Sequence, residues 1–286
     1  MFKQFVIFTL LILVRTAAAQ SVYVSNQQTP VQFGKAAPDN CRFDLLNDRT
    51  GAAATLSGLA LAFHPNGRLF GVFGNVLAEI DTTNGDCSAF QSATVRRFPL
   101  SGNTDFSKYN ALTCDSVGIF YAVNKLGELA YFDSRTNQTA IIGVVRAANL
   151  IGDTGAGGDL IFYKNDLYLA ASGRRLIKVN IQNPALSTLH MTMDCGSCFD
   201  EMASLVGFVR CNGKNVYALT TGFAPGAIRS LVYRIDIERR TTTFVCGLPI
   251  QINDAASRYE FLPLPPDTTR VLQSTCNILI DNKTDT

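Results

Sequence analysis

The chain contains few of the residues that carry most enzyme chemistry. It has only two histidines, His64 and His190, among its 286 residues. We predict a turn around His64 and an outer strand around His190, which would hold the two imidazoles far apart. A histidine-based metal site and a general-base pair are therefore not expected. The chain also lacks a Gly-x-Ser-x-Gly sequence, which argues against an α/β-hydrolase nucleophile elbow.

Long apolar runs are absent beyond the first residues of the chain. Lys3 precedes an apolar run at residues 5–14, and residues 17–19 are alanines that suit a cleavage site. This pattern is typical of a secretory signal peptide over residues 1–19, followed by a mature chain of residues 20–286. The run is too short to span a bilayer, and no later stretch approaches that length. We therefore expect a secreted, extracellular protein without a membrane span.

The chain has no large excess of either charge, since it holds 25 basic and 23 acidic residues. Lys3 and Arg15 leave with the signal peptide, which contains no acid, so 23 basic residues remain against 23 acidic ones. A formally neutral protein has no bulk electrostatic attraction for nucleic acid or anionic membranes, and neither is expected as a partner. The basic pairs at residues 96–97 and 239–240 are interpreted as surface residues that aid solubility.

Eight cysteines are present, and an even number in a secreted chain favours disulfides. The sequence does not determine how they pair. Cys195 and Cys198 form a Cys-x-x-Cys sequence, which we also interpret as structural because no second such pair accompanies it. The predicted disulfide cysteines are Cys41, Cys87, Cys114, Cys195, Cys198, Cys211, Cys246 and Cys276. Acceptor sequences for N-glycosylation at Asn137 and Asn282 fit the same extracellular location.

The dominant pattern is a group of short strands that returns after roughly fifty residues, a period typical of a β-propeller. The second strand of each group carries an aromatic or apolar residue that marks the register. These residues are Phe70, Tyr121, Tyr168, Tyr217 and Leu272. We therefore predict an all-β fold and a single β-propeller domain over residues 20–286.

The repeat divides into units of four strands, which we letter a to d from the innermost strand outward. The predicted strands of the first four units are 58–63, 68–74, 76–81 and 87–93; 110–115, 118–124, 127–133 and 139–144; 157–162, 166–172, 174–180 and 186–193; and 203–209, 215–221, 230–236 and 241–246. A fifth unit has three predicted strands, at 258–263, 269–274 and 276–281. An N-terminal strand near residues 41–47 would complete it and close the ring, which removes two unpaired edges. Five blades are thus predicted, with six as the alternative if residues 22–33 add strands.

An aspartate or asparagine ends the third strand of each unit, as at Asp81 and Asp133. Such side chains cap backbone groups in turns, and their recurrence in every unit indicates a structural role.

Two stretches resemble a known superfamily, namely Phe63-His64-Pro65-Asn66-Gly67-Arg68-Leu69-Phe70, and Gly158-Asp159-Leu160-Ile161-Phe162 followed by Asp166-Leu167-Tyr168. They are similar to the blade repeat of secreted and bacterial β-propellers of the NHL and gluconolactonase-like types. The resemblance covers roughly residues 41–281 and implies the fold, but propellers host enzymes, receptors and scaffolds alike. The chain has no tryptophan, so the tryptophan-containing marks of receptor propellers and WD40 repeats are absent.

In a propeller, the d–a and b–c connections share one face, which is usually the ligand face. The d–a connections predicted here are long, at 94–109, 145–156, 194–202 and 247–257. The fourth b–c loop also carries an insertion at 221–229. Both glycosylation sequences lie beside c–d positions on the opposite face. We therefore expect the long-loop face to be the recognition surface.

Several acids on this face could supply the hard oxygen ligands that Ca²⁺ prefers. The resemblance to lactonase-type propellers implies a metal in the central channel, although solvated loop acids explain the same residues. No cofactor is expected in the leading interpretation, and calcium belongs to the alternative. The ligand-face candidates are Asp153, Asp159, Asp200, Glu201, Phe223, Arg229 and Asp254.

The leading hypothesis is a secreted, disulfide-linked glycoprotein that binds an extracellular protein or glycan, such as a component of an extracellular matrix. No catalytic residue is predicted. The alternative is a calcium-dependent hydrolase or lactonase with acids at the central channel. A third hypothesis is a soluble carrier that holds a small ligand in that channel.

Overall fold

The computed structural model describes residues 22–26, 31–37, 42–49, 60–82, 96–100, 108–147, 158–194, 202–210, 213–224, 227–248, 250 and 252–257. These residues form an all-β structure with one short 3-10 helix, Pro184–Leu186. The predicted signal peptide and the fifth unit at 258–281 lie outside the described residues. No helix among the described residues has the length and apolar character needed to cross a bilayer.

Twenty strands form five antiparallel sheets of four strands each. Sheet 1 contains β4 Ala60–Phe63, β5 Leu69–Phe73, β6 Val76–Ile80 and β7 Arg96–Arg97. Sheet 2 contains β8 Tyr109–Cys114, β9 Ile119–Asn124, β10 Glu128–Asp133 and β11 Gln138–Val144. Sheet 3 contains β12 Leu160–Tyr163, β13 Asp166–Ala171, β14 Arg175–Val179 and β15 Thr188–Thr192. Sheet 4 contains β16 Met202–Arg210, β17 Gly213–Ala224, β18 Ala227–Asp236 and β19 Thr241–Leu248. Sheet 5 contains β20 Ile252–Ala256, β1 Val22–Asn26, β2 Val31–Ala37 and β3 Arg42–Arg49.

The sheets have the arrangement of a β-propeller. In sheets 1 to 4 the strands lie in chain order from a to d, as from β4 to β7 in sheet 1, and sheet 5 has the order β20-β1-β2-β3. The first strand of one sheet contacts the first strand of the next, from β4 to β8, β12, β16 and β20, and β20 also contacts β4. Successive sheets are therefore neighbours through their innermost strands.

The core lies between successive sheets. One apolar cluster joins sheets 1 and 2, where the rings of Phe70 and Phe120 lie with their centroids 5.0 Å apart. Further clusters join sheets 2 and 3, sheets 3 and 4, and sheets 4 and 5. Because inner strands are covered on both faces, they lack the alternation of a half-exposed sheet. The strand β4, for example, is buried at all four residues.

Local turn chemistry explains where the hairpins reverse. Asn124 Oδ1 accepts backbone N–H bonds from Leu126 and Glu128, both at 3.0 Å, which closes the turn between β9 and β10. Gly118 has φ +92°, and a Cβ there would lie 2.7 Å from His64 Nε2. This turn therefore requires glycine both for its backbone conformation and for the close approach of sheet 1.

The predicted strands of the second and third units are confirmed with small shifts at their ends. The first unit differs, because β7 lies at residues 96–97, inside a predicted loop. The strand predicted at 87–93 lies outside the described residues.

The predicted loop at 247–257 is wrong, since it contains β20, the innermost strand of sheet 5. The strand predicted near 41–47 is present as β3, the outermost strand of the same sheet. The segment that the six-blade alternative reserved for an extra blade supplies β1 and β2, which are also strands of sheet 5. The local sequence gives no signal for this composition of sheet 5, because its strands come from opposite ends of the chain.

Candidate functional site

We distinguish two ends of the sheets by their connections. At the b–c end, strands b and c of each sheet are joined, as at residues 74–75 between β5 and β6. At the a–b end, strand a connects to strand b in sheets 1 to 4, and strand c connects to strand d. The b–c end corresponds to the long-loop face expected from the sequence.

Two of the predicted ligand-face acids lie on innermost strands, near their b–c ends. Asp159 immediately precedes β12, and Asp254 lies within β20 rather than in the predicted loop. Their relative exposures are 1% and 2%. Each is followed by a buried apolar residue, Leu160 after Asp159 and Ala255 after Asp254.

Both carboxylates accept hydrogen bonds from the backbone of a neighbouring sheet. Asp159 Oδ1 accepts from Leu160 N at 2.7 Å and from Leu112 N of β8 at 3.4 Å. Asp254 Oδ2 accepts from Leu61 N of β4. Hydrogen bonds of this kind compensate the cost of burying a charged group. The two acids therefore tie innermost strands together at the axis.

The remaining predicted acids, Asp153, Asp200 and Glu201, lie outside the described residues. Within the described part of the chain, no group of three or more His, Cys, Asp or Glu side chains is placed to hold a metal ion. The calcium site stays a prediction.

The two histidines lie in different pairs of sheets and make structural contacts. His64 Nδ1 accepts a hydrogen bond from Asn66 N at 3.2 Å, so the proton of the neutral ring lies on Nε2. That nitrogen lies 3.1 Å from Ser134 Oγ and donates to it. A general base would need Nε2 free of its proton, so this pair is not arranged to activate the serine. His190 Nε2 lies 2.7 Å from the carbonyl oxygen of Ile237 and joins sheets 3 and 4.

The structural role predicted for the Asp or Asn at the end of strand c is confirmed in sheets 2, 3 and 4. Asp133 Oδ1 accepts from Arg135 N at 2.9 Å, and Asp236 Oδ1 accepts from Arg239 N at 2.8 Å. Asn180 Oδ1 accepts from Asn183 N at 2.9 Å. Hydrogen bonds from the Arg135 side chain and backbone lower the pKa of Asp133 well below its usual value.

Ion pairs are concentrated at the a–b end. Two of the described pairs join neighbouring strands of one sheet, Arg68 with Glu79 and Lys178 with Asp166. A third joins Lys164 of sheet 3 to Glu238 of sheet 4, and the pairing lowers the pKa of Glu238. Two further pairs lie within the c–d turns, Arg135 with Asp133 at 2.9 Å and Arg239 with Asp236 at 3.1 Å.

A β-hairpin arm distinguishes sheet 4 at the b–c end. Pairing between β17 and β18 continues through Thr221–Ser230, Gly222–Arg229 and Phe223–Ile228 to Ala224–Ala227. The flanking strands stop earlier, because β16 pairs only as far as Thr220 and β19 only as far as Ser230. We call residues 221–229 the arm, and its three rungs beyond Thr221–Ser230 extend past the flanking strands by about 10 Å at the usual rise per residue.

The arm corrects the sequence analysis, which expected an inserted loop at these residues. Phe223 and Arg229, two of the predicted ligand-face candidates, belong to the paired residues of this hairpin. Sheets 1, 2 and 3 have no such extension: β13 and β14 pair up to Ala171–Arg175, which is level with the pairing of β14 and β15.

Exposed cations line the b–c end of sheets 1 and 2. Arg97 Nη1 lies 3.5 Å from Asn75 Oδ1, beside the turn between β5 and β6. Lys125 lies in the turn between β9 and β10, and Arg146 follows β11. The basic residues Arg97, Lys125 and Arg146, which we call the basic rim, are all exposed.

The cysteines and the glycosylation sequences are only partly described. Cys114 in β8 was predicted to be disulfide-bonded, but it is a buried thiol whose Sγ lies 3.6 Å from the carbonyl oxygen of Asp115. Cys246 in β19 is disulfide-bonded. The other six cysteines and Asn282 lie outside the described residues.

Asn137 is exposed in the c–d turn of sheet 2, with φ 56°. This position is accessible at the a–b end, away from the arm and the basic rim. Its glycosylation stays a prediction.

Sequence reasoning missed both the basic rim and the length of the arm. The rim residues come from three separate connections, and the pair at residues 96–97 was interpreted only as an aid to solubility. The arm had one usable signal: Pro225-Gly226 stands between two runs rich in strand-forming residues, as in a tight hairpin.

Comparisons with known proteins find similarity in solved structures only. No protein-family model matches the chain, and no curated protein sequence matches it. The chain is similar to a Bacteroides thetaiotaomicron protein of unknown function, with 13% identity and a TM-score of 0.49, over 85% of this chain and 62% of that one. It is similar to the extracellular domain of a one-component system from the same bacterium, with 11% identity and a TM-score of 0.42, over 80% of this chain and 28% of that one. It is also similar to Myxococcus xanthus glutaminyl cyclase, with 14% identity and a TM-score of 0.38, over 79% of this chain and 75% of that one.

This chain therefore spans less than two thirds of the length of the first two structures. Similarity at these identities carries no statement about function.

Proposed function

We propose that this protein is a secreted, extracellular binding protein that recognises a protein or glycan with the b–c end of a five-bladed β-propeller. The five sheets are its blades. The contact between β20 and β4 supports a closed ring, because it links the last innermost strand to the first. The hydrogen bond from Leu61 N to Asp254 spans the same junction.

The arm is the observation that carries the binding function. It raises residues 221–229 above the level of the flanking strands at the end where propellers usually hold ligands. A two-stranded ribbon is marginally stable in water by itself, so an arm of this kind gains stability when it packs against another surface. A binding partner supplies such a surface.

Several groups that could serve catalysis are engaged in holding the fold. Asp159 and Asp254 each accept backbone N–H bonds between neighbouring sheets. The His64 ring donates to Ser134 instead of accepting its proton. These contacts favour binding over hydrolysis as the function of the described residues.

Capture of partners by the full-length protein tests this proposal. The full-length natural protein serves as bait and is compared with two variants. In one, Asn-Gly replaces residues 221–229; the other is the control variant Arg239→Gln at the a–b end. We expect a captured partner to bind the arm-shortened variant at least about tenfold more weakly, the effect of losing one contact residue of central importance. The control should bind as the natural protein does. Equal binding by all three proteins, with unchanged melting curves, would show that the arm is not the recognition element.

A second candidate function, calcium-dependent hydrolysis, rests on the two buried carboxylates near the axis. Oxygen atoms of Asp159 and Asp254 are of the type that Ca²⁺ prefers. Thermal melting in calcium and in chelator, together with a lactone hydrolysis assay, separates the two functions. A large stabilisation by calcium accompanied by hydrolysis would replace the binding proposal. A melting curve that calcium does not change leaves binding as the function.

A further inference from the structure

The basic rim defined above is continuous across two sheets. Asn75, which contacts Arg97, adjoins Gly74, whose carbonyl oxygen accepts a hydrogen bond from Tyr109 N at 2.8 Å. Tyr109 in turn pairs with Asn124, the residue before Lys125. A short series of contacting residues thus links Arg97 of sheet 1 to Lys125 of sheet 2.

The third rim residue belongs to the same surface. Val145 N donates to the carbonyl oxygen of Gly127 at 2.8 Å, which places Arg146 directly beside the turn that carries Lys125. Lys108, which precedes Tyr109, is exposed at the same edge. Cations beside three separate connections, β7–β8, β9–β10 and β11–β12, therefore meet at one end of two neighbouring sheets.

One acid lies beside this turn and forms a local hydrogen bond. Glu128 is half-buried, and its Oε2 accepts a hydrogen bond from Asn124 Nδ2 at 2.6 Å. The ion pairs at the a–b end show the opposite arrangement, since Arg135 and Lys178 there each contact a carboxylate. Within the described residues, none of the three rim cations has an ion-pair partner, so the rim presents net positive charge to solvent.

Exposed apolar side chains lie among these cations. Leu126, next to Lys125, is 48% exposed. Leu100 is 42% exposed and lies two residues from Phe98, whose backbone N–H bonds to Asn75. A surface that combines guanidinium and ammonium groups with exposed leucines suits a ligand that carries both carboxylates and apolar side chains.

We propose that the basic rim binds an acidic segment of a partner protein, one in which apolar residues stand among Asp and Glu. This inference rests on the proposed binding function and names the chemical class of its partner. The cations attract and orient the segment, and Leu126 and Leu100 contact its apolar side chains. A sulfated glycan would satisfy the charges but would leave the leucines without a matching contact.

Fluorescence anisotropy with the full-length protein tests this inference. The probes are a Glu-rich peptide with interspersed leucines, the same peptide with serines replacing the leucines, and a sulfated oligosaccharide of equal charge. We expect the leucine peptide to bind tightest and its affinity to fall as salt rises. Tighter binding of the sulfated oligosaccharide, or equal binding of the two peptides, would overturn the proposal.

Two triple variants of equal net charge provide the matched control. The rim variant is Arg97→Gln, Lys125→Gln and Arg146→Gln, and the control is Arg135→Gln, Lys178→Gln and Arg239→Gln at the a–b end. The rim variant should bind the leucine peptide about tenfold more weakly, as three weakened charge contacts allow, with a smaller dependence on salt. The control variant should bind as the natural protein does.

Equal losses in the two variants would show an effect of net charge alone and overturn the proposal. Failure here is distinguishable from failure of the binding function, because shortening the arm tests that function without changing the rim. A partner that does not bind the arm-shortened variant but binds the rim variant normally would support the binding function. It would contradict only the proposal of an acidic segment.

Discussion

The two ends of the sheets differ in how their charged and backbone groups are satisfied. At the a–b end, carboxylates cap turns and pair with arginine or lysine, as Asp133 does with Arg135. At the b–c end of sheets 1 and 2, Arg97, Lys125 and Arg146 are exposed, and in sheet 4 the arm continues beyond its neighbours. Several charged groups of the a–b end are thus paired within the protein, whereas Arg97, Lys125 and Arg146 at the b–c end are exposed to solvent.

The axis is where we expect the largest effect on stability. Asp254→Ala should lower the free energy of unfolding by about 2–3 kcal/mol, because the buried Leu61 N–H loses its charged acceptor. Asp254→Asn keeps an acceptor of similar size and should cost less. Urea unfolding followed by circular dichroism measures both. An alanine variant as stable as the natural protein would show that the carboxylate contributes nothing to joining β20 and β4.

A pair of glycines compares the packing of the two ends directly. Gly118→Ala, at the a–b end, should cost about 2 kcal/mol, since its left-handed conformation is combined with a Cβ only 2.7 Å from His64 Nε2. Gly74→Ala, at the b–c end, should cost about 1 kcal/mol, because φ is +64° there but nothing lies within 4 Å. Melting temperatures of the two variants provide the measurement. Equal losses would mean that the contact between His64 and the turn of sheet 2 adjusts without cost.

Acidic pH should reduce the stability that the Asp133 carboxylate contributes at the a–b end. The pKa of Asp133 is lower in the folded protein than in the unfolded chain. Its carboxylate therefore contributes its full stabilisation at pH values above the pKa in the unfolded chain, about 3.9, and this contribution is lost as the pH falls through the pKa in the folded protein. Asp133→Asn should therefore lower the melting temperature near pH 7, and the difference from the natural protein should shrink as the pH approaches 2. A pH-independent difference would indicate a packing effect in place of the charge.

The smallest effect on stability should come from the basic rim. Changing Arg97, Lys125 and Arg146 together to glutamine should alter the free energy of unfolding by less than about 0.5 kcal/mol, as is usual for exposed surface positions. Chemical denaturation of this variant and of the a–b control variant makes the comparison. A rim variant clearly less stable than the control would assign the rim cations to the fold and weaken the case for binding.

Predictions from sequence were most accurate where every pattern was local. In sheets 2 and 3, short strands alternate with turns such as the one at Asn124, so periodicity and turn chemistry specify nearly the whole hairpin. The same reasoning predicted a loop where β20 stands, because residues 252–256 pair with β1, more than two hundred residues away. It also interpreted the arm as a loop, since its length depends on where β16 and β19 stop.

The candidate site could be predicted only in part. Asp159 and Asp254 were selected as acids of the ligand face, but their bonds to Leu112 and Leu61 depend on how neighbouring sheets meet. Cys114 was expected to pair, yet packing against sheet 1 encloses it as a thiol. The rim residues are separated along the chain, so nothing in their local sequence marks them as one surface.

The amino-acid sequence by itself determined the all-β character, the repeat of short strands and the capping acids of its turns. These features arise from interactions over a few residues, which a local pattern records. The tertiary structure alone decided which strands complete sheet 5, how far the arm extends and which cations share one surface. Those features depend on contacts between segments distant in the chain, and they exist only once the sheets pack against one another.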